Sequence, residues 1–128
     1  MNVLDENIPA DQRELLQRWR VRTRQIGHDV GRQGMKDEDE IIPLLMQLSR
    51  PTFFTRDLGF FRASLRHQSY CLACLAVRAD EAASFIRRVL GHTDLNTHAK
   101  RLGKVIELQH TGIRVIETSG AGETKLDW

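Results

Sequence analysis

The chain has 128 residues, of which 41% are hydrophobic and 28% are charged, and its formal net charge at pH 7 is +2. This length predicts one domain with its own core, and no apolar stretch approaches the roughly 20 residues of a membrane-spanning helix. We expect a cytoplasmic protein without a secretory signal, because no basic segment followed by an apolar core opens the chain. The pI is near 8.8. Dedicated nucleic-acid-binding domains typically have a pI above about 9, so this chain is only mildly basic.

Apolar runs and helical spacing predict alternating strands and helices along residues 1–118. The runs predict six strands, at residues 2–4, 20–26, 52–55, 70–77, 105–108 and 113–116. Helical spacing predicts four helices: residues 10–18, residues 37–48, residues 81–90 capped by Asp80, and a helix capped by Asp94 that runs through Leu102. Pro43 lies in an early turn of the second. The polar, glycine-bearing residues 119–128 are typical of a flexible tail.

Strands that alternate with helices predict βαβ units and a mostly parallel sheet. The last two predicted strands surround a His110–Gly112 turn and would add an antiparallel edge hairpin. The alternating arginines of segment 20–26 indicate a strand with one basic face, and an extension of the first helix is the alternative.

Two cysteines in a C-x-x-C arrangement, Cys71 and Cys74, lie inside an apolar run. In a strand, residues three apart point to opposite faces of the sheet. We therefore expect two core thiols rather than a redox pair or a zinc site.

Arginines fall in clusters, of which the largest holds Arg18, Arg20, Arg22 and Arg24. The guanidinium fork suits phosphate, although a solvated basic face is the simpler interpretation of any one cluster.

Carboxylates follow two of the predicted strands. Asp5 ends the first apolar run, Asp57 follows the run 52–55, and an acidic cluster at residues 37–40 lies between them. Ligands of open α/β sheets gather outside the carboxyl ends of the strands, and clustered carboxylates there favour Mg²⁺ or Mn²⁺. Together with nearby arginines and a threonine, they predict a metal site suited to phosphodiester hydrolysis. The alternative is that each acid caps or precedes a helix.

Four segments resemble the small stand-alone PIN-like proteins, relatives of the VapC-type toxin nucleases: Leu4-Asp5-Glu6-Asn7, Gly27-His28-Asp29-Val30, Glu38-Asp39-Glu40-Ile41-Ile42 and Phe54-Thr55-Arg56-Asp57-Leu58-Gly59-Phe60. The resemblance covers roughly the first half of the chain. It implies a PIN-like three-layer α/β/α fold with a central mostly parallel sheet. It also implies cleavage of RNA that depends on Mg²⁺ or Mn²⁺, in a toxin component of a toxin-antitoxin pair. An antitoxin-like protein and a second copy of the chain are the protein partners this implies.

The resemblance also implies residue roles. Asp5, Glu38 and Asp57 match the catalytic, metal-binding acids, and Asp39 is the alternative for the middle position. Thr55 would orient the ligands, Glu6 and Asn7 would support them, and Arg56 would contact phosphate. One departure is Gly59, because many PIN-like relatives carry a further aspartate there.

Three alternatives follow. The first is a PIN-like module that lacks the further aspartate and binds RNA or a protein without cleaving RNA. A phosphoacceptor receiver domain would use Asp5, Glu6, Asp57 and Lys104, but receivers usually follow that lysine with proline, and Val105 follows it here. A purely structural α/β protein would use the acids only as caps.

Overall fold

The computed structural model describes residues 1–117 and 122–128, which form a mixed α/β fold around one seven-stranded sheet. The strands are β1 (Asn2–Leu4), β2 (Arg24–Gln25), β3 (Thr52–Thr55), β4 (Cys71–Leu75), β5 (Val105–Gln109), β6 (Gly112–Ile116) and β7 (Glu123–Leu126). Their order is β2-β1-β3-β4-β5-β6-β7; the first five are parallel, and β6 and β7 are antiparallel to their neighbours. The predicted mostly parallel sheet and its antiparallel hairpin, β5–β6, are thus confirmed, but the hairpin is not the edge of the sheet, because β7 pairs with β6 beyond it.

The helices cover both faces of this sheet. They are α1 (Ala10–Arg18), α2 (Glu38–Gln47), α3 (Ala82–Leu90) and α4 (His98–Arg101), with 3₁₀ turns at Leu58–Phe60, Ala63–Leu65 and Ala79–Glu81. Leu16 of α1 and Ile86 of α3 belong to one buried cluster, whereas Ile41 and Leu45 of α2 belong to another. The sheet lies between the two clusters, and no described helix is long and apolar enough to cross a membrane.

Burial on both faces explains the continuous apolar runs of the central strands. Every residue of β3 and β4 is buried. Cys71 lies in the cluster with α1 and α3, and Cys74 lies in the cluster with α2. Both thiols are free, and burial raises the pKa of Cys71 to about 12. The expectation of two separate core cysteines is confirmed.

The segment predicted as strand 20–26 is mostly not a strand, since β2 covers only Arg24–Gln25. The reason is the way α1 ends. The Arg20 amide donates to the Gln17 carbonyl at 3.0 Å and the Val21 amide donates to the Leu16 carbonyl at 2.9 Å, which is the Schellman pattern of helix termination. The backbone that begins the alternating stretch therefore closes the helix instead of joining the sheet.

The flexible tail predicted for residues 119–128 is wrong for residues 123–126, because these form β7 and pair with β6. Strand β6 would otherwise leave a row of unpaired backbone groups at the sheet edge. Beyond β7, the Trp128 indole donates to the Gln109 carbonyl at 2.5 Å and packs against the Phe85 ring at a centroid distance of 5.5 Å. Residues 119–121 of the predicted tail lie outside the described residues.

The predicted helix starts also need correction. Asp80 lies in a 3₁₀ turn and pairs with Arg78, and α3 begins after Glu81. Asp94 does not cap α4, which begins four residues later behind the hydroxyl of Thr97. Several nearby polar side chains can each hydrogen-bond the free amides at a helix start. The sequence is compatible with any of them, so it does not decide which side chain caps the helix.

Candidate functional site

The sheet has a point where the chain connections change direction. Strand β2 lies on one side of β1 and strand β3 lies on the other. In doubly wound sheets, a crevice opens at this point, outside the carboxyl ends of the strands, and ligands bind there. Asp5 directly follows β1, Thr55 ends β3, and Asp57 stands two residues later, so the two predicted acids lie at the same end of the sheet, beside this point.

A single hydroxyl connects the two acidic segments. The Thr55 hydroxyl donates to Asp5 Oδ2 at 2.6 Å, and its oxygen accepts the Asp57 backbone amide at 2.9 Å. Thr55 is fully buried and Asp5 is 5% exposed, whereas Asp57 is exposed. The arrangement places the buried Asp5 carboxylate and the exposed Asp57 segment on either side of Thr55. The cavity at this end of the sheet is lined by Asp57 but not by Asp5.

The charge of Asp5 is poorly compensated. Burial raises the pKa of Asp5 above its usual value, hydrogen bonds from the Thr55 hydroxyl and the Glu6 amide oppose this, and the charges of Asp57 and Glu6 raise it further. Within residues 1–117 and 122–128, no arginine, lysine or histidine forms an ion pair with Asp5 or Asp57. A cation at this position would relieve the cost of the buried charge.

Glu38 lies beside Asp57, whereas Asp39 does not. A cavity of about 250 Å³ is lined by both Asp57 and Glu38, together with Lys36, Asp37, Gly59, Phe60 and Arg62. The Glu38 carboxylate is already paired with the Arg62 guanidinium. Asp39, the next residue of α2, is exposed and does not line this cavity. Between Glu38 and Asp39, Glu38 is therefore the acid that shares the cavity with Asp57, but its charge is neutralised by Arg62.

Asp57 also has a structural role. Its Oδ1 accepts the Gly59 amide at 2.9 Å and so caps the 3₁₀ turn at Leu58–Phe60. A Cβ atom at Gly59 would lie 3.0 Å from Asp57 Oδ1. Adding back the acid that is missing at position 59 would thus require the Asp57 carboxylate to move by a few tenths of an ångström.

The other predicted site residues support the backbone around the crevice. The Glu6 carboxylate accepts the Gly34 amide at 2.8 Å and lies against Gly27, which ties the glycine-bearing loop to the end of β1. Arg56 Nε donates to the Val77 carbonyl at 3.1 Å, beside the end of β4 rather than beside the acids. Asn7 is exposed in the turn before α1, and the N-cap of α1 is Pro9, so neither Asp5 nor Asn7 caps this helix.

Gln25 positions Asp5 and was not predicted. From β2, its buried Nε2 donates to the carbonyl oxygens of Asp5 at 3.0 Å, Glu6 at 3.3 Å and Ile8 at 2.9 Å. Its Oε1 accepts Arg13 at 2.8 Å. The sequence signal that could have identified Gln25 is its position on the inward-facing side of the alternating, basic segment 20–26. Lys36 and Arg62, which bring positive charge to the cavity, were also missed.

The donor set fits a divalent cation only in part. Within the described residues, no three His, Cys, Asp or Glu side chains are grouped so that they could hold a metal ion. The two strand-end carboxylates remain, and Mg²⁺ is commonly held by one or two carboxylates plus waters. The residues that would hold the cation are Asp5 and Asp57, and Glu38 could join them only after leaving Arg62.

No family model matches this chain, and comparisons with curated proteins and with solved structures found no match either. The interpretation of the site therefore depends on its own geometry and chemistry.

Proposed function

We propose that the chain is a PIN-like ribonuclease that requires Mg²⁺ or Mn²⁺ and cleaves phosphodiester bonds by hydrolysis. The observation that carries this proposal is the Thr55 hydroxyl, which joins the buried Asp5 carboxylate to the segment of Asp57 at the carboxyl ends of adjacent parallel strands. The resemblance of the motifs around these residues to PIN-like proteins, with their three-layer α/β/α fold, supports the same function.

A bound Mg²⁺ or Mn²⁺ would lower the pKa of a water ligand and stabilise negative charge on the phosphodiester. The chain's own residues provide the setting. Asp5 and Asp57 supply carboxylate oxygens, and Thr55 prevents the Asp5 carboxylate from rotating. Gln25 holds the backbone that carries Asp5.

Lys36 and Arg62 give the neighbouring cavity a place for phosphate. Both residues line it beside Asp57, and a guanidinium binds phosphate oxygens in the same way as it binds a carboxylate. A substrate phosphate would compete with Glu38 for Arg62. In this proposal, substrate binding releases Glu38 and makes it available as the third acid.

The test is cleavage of a mixed pool of single-stranded and structured RNA with Mg²⁺ or Mn²⁺. Wild type should cleave, and Asp5→Asn and Asp57→Asn should each lose activity. Thr55→Val should lose most activity while Thr55→Ser, which keeps the hydroxyl, should retain most of it. Cleavage that persists in Asp5→Asn and Asp57→Asn would reject the proposal.

A second candidate is an RNA-binding module that does not cleave. The ion pair between Glu38 and Arg62 and the glycine at position 59 favour it, because together they leave two carboxylates for the metal. Mn²⁺ binding by wild type without RNA cleavage would support this candidate. Arg62→Gln, which frees Glu38, would then be expected to increase Mn²⁺ affinity.

The receiver-domain alternative gains no support. Lys104 precedes β5 and pairs with Glu117, so it lies at the amino end of the sheet, whereas Asp5 and Asp57 lie at the carboxyl end. The antitoxin-like partner, the homodimer and the cytoplasmic location stay predictions.

A further inference from the structure

A second, larger cavity lies at the opposite end of β1. Its volume is about 800 Å³, and three of its lining residues are Arg20, Arg22 and Arg24. We call it the arginine groove. Asn2, the first residue of β1, also lines it, and Asp29 is its one acidic lining residue. Asp29 Oδ2 already accepts the Gln25 backbone amide at 3.0 Å.

The guanidinium groups of the three arginines have no partner inside the described parts of the chain. Ion pairs there engage other arginines, namely Arg32, Arg62, Arg78 and Arg114, and ring stacking engages Arg87 and Arg88. Arg20, Arg22 and Arg24 are exposed and form no such contact. The positive charge of this surface is thus not neutralised from within.

Arg20 occupies a backbone position that favours glycine. Its φ is 61°, and among the described residues only Arg50 is another non-glycine with positive φ. The position is the one after the helix cap in the Schellman pattern, where glycine is the usual residue because a Cβ is strained there. An arginine whose side chain makes no described contact with the rest of the fold does not compensate for this strain. A ligand of the guanidinium would account for its presence.

The spacing indicates a repeating anion rather than a single one. Residues 21–25 alternate, with Arg22 and Arg24 exposed and Gln25 buried. Arg22 and Arg24 are alternate residues, which lie about 7 Å apart where the backbone is extended, and Arg20 precedes them by two positions on the lining of the same groove. A series of unpaired arginine forks suits the successive phosphates of a nucleic acid strand.

We propose that the arginine groove binds the phosphate backbone of single-stranded RNA. The choice of RNA depends on the proposed function, because Asn2 in the groove and Asp5 in the crevice lie about 10 Å apart, at the two ends of β1. Strand β2 forms the edge of the sheet next to β1, so an RNA strand that passes around β2 can occupy both. An anionic membrane surface is less suitable, because the exposed large hydrophobic residues of the described chain, Met46 and Leu58, do not line the groove.

The test measures binding apart from cleavage. Fluorescence anisotropy of a labelled single-stranded RNA is recorded at several salt concentrations, with the Asp5→Asn protein in EDTA. Against this background, Arg20→Gln, Arg22→Gln and Arg24→Gln are combined. The matched control combines Arg32→Gln, Arg78→Gln and Lys125→Gln, which removes the same charge from exposed positions outside the groove.

The groove variant should bind at least about tenfold more weakly, and its salt slope should fall by about 2, because three phosphate contacts on a single strand are lost. The control should bind within about threefold of the background protein. Equal weakening by both sets would overturn the proposal, as would absence of RNA binding by the background protein. Binding to anionic phosphatidylserine vesicles in place of RNA would also overturn it.

Arg20→Gly separates binding from folding. Glycine relieves the left-handed backbone, so this variant should unfold at an equal or higher temperature while binding RNA more weakly. Unchanged RNA binding by Arg20→Gly would remove Arg20 from the proposed site. If RNA binding depends on the groove arginines but wild type does not cleave RNA, the nuclease proposal is rejected and the groove proposal stands. If wild type cleaves RNA but binding does not depend on the groove arginines, the groove proposal is rejected and the nuclease proposal stands.

Discussion

At the scale of single residues, Asp5 is placed where its charge is costly. It is almost completely buried, it follows directly after β1, and it has two acidic neighbours, Glu6 and Asp57. Natural proteins retain such groups mainly where they act, because a neutral residue would be more stable. This makes the stability of the Asp5→Asn variant informative without any knowledge of the substrate.

We predict that Asp5→Asn is more stable than wild type at pH 7 in the absence of metal. Because the pKa of Asp5 is raised in the folded protein, the folded state binds the proton more tightly than the unfolded chain. Its favourable contribution is therefore present below the unfolded pKa and is lost as the pH rises through the folded pKa. The gain should be about 0.5–2 kcal/mol, the usual range for one stabilising substitution, and should shrink as the pH falls.

Urea unfolding at pH 7 and at pH 4 measures this difference. The control is Asp39→Asn, an exposed acid in the first turn of α2, which should be neutral or slightly destabilising because of the helix dipole. A lower stability of Asp5→Asn at pH 7 would mean that the hydrogen bonds from Thr55 and Glu6 outweigh the burial of the charge.

At the scale of secondary-structure elements, α2 contains a proline in its interior. Pro43 is the sixth of its ten residues, whereas an early turn was expected to tolerate it. A proline has no amide hydrogen for the carbonyl four residues earlier, here that of Asp39, and its ring crowds that carbonyl. Strand β3, which carries Thr55, follows this helix directly in the chain.

Pro43→Ala should raise the free energy of unfolding by about 1–2 kcal/mol. This is less than the full proline penalty of about 3 kcal/mol, because proline also restricts the unfolded chain. Urea unfolding provides the measurement. Pro9→Ala is the matched control, since Pro9 stands just before the first residue of α1 and should give no comparable gain. No gain from Pro43→Ala would show that the helix already bends around the proline without loss.

Strand β7 is a second element whose stability depends on its surroundings. Its residues are largely exposed. Its anchors are the ion pair of Glu123 with Arg114, the packing of Leu126 against the core, and Trp128 beyond the strand. This indole contacts the Gln109 carbonyl, the Phe85 ring and the Arg88 guanidinium, the last at 4.3 Å from the ring centroid.

Trp128→Ala should lower the free energy of unfolding by about 2 kcal/mol, roughly half the usual cost for a fully buried aromatic residue. Lys125→Ala in the same strand should change it by less than about 0.5 kcal/mol, because Lys125 is exposed. Urea unfolding of both variants tests the comparison. Equal effects of the two substitutions would mean that the backbone pairing of β7 with β6 dominates.

At the scale of the whole molecule, the elements that the sequence predicts well are those with a local cause. Strands β1 and β3 and helix α1 have the predicted bounds, because apolar runs bounded by acids and a proline define them within the segment itself. Strand β7 has no such signal, since Glu123–Leu126 reads as a polar segment and forms a strand only because β6 offers an open edge.

The same distinction applies to the site. Asp5 and Asp57 could be expected to meet, because each follows a strand and neighbouring parallel strands end at one edge. The pairing of Glu38 with Arg62 could not be predicted, because the two residues are 24 positions apart and their contact depends on how the chain after β3 returns across α2. The three hydrogen bonds from Gln25 depend on tertiary structure in the same way.

The proposed metal site couples the chemistry of the crevice to the stability of the whole fold. A ligand that binds only the folded state stabilises it, by about 2.7 kcal/mol when its concentration is a hundred times its dissociation constant. Binding of a cation requires Asp5 to be ionised, and the pKa of Asp5 is above its usual value. Protons therefore compete with the cation at a higher pH than they would at an exposed aspartate.

We predict that Mn²⁺ raises the unfolding midpoint of wild type at pH 7.5, raises it less as the pH falls toward about 5, and has no effect on Asp5→Asn or Asp57→Asn. Thermal unfolding with and without Mn²⁺ across this pH range is the measurement. Asp80→Asn is the control, because this exposed acid lies in a comparable 3₁₀ turn and pairs with Arg78. A Mn²⁺ effect that does not change with pH, or that survives in Asp5→Asn, would place the cation elsewhere. The buried carboxylate would then have only the role of holding Thr55 and the end of β3 in place.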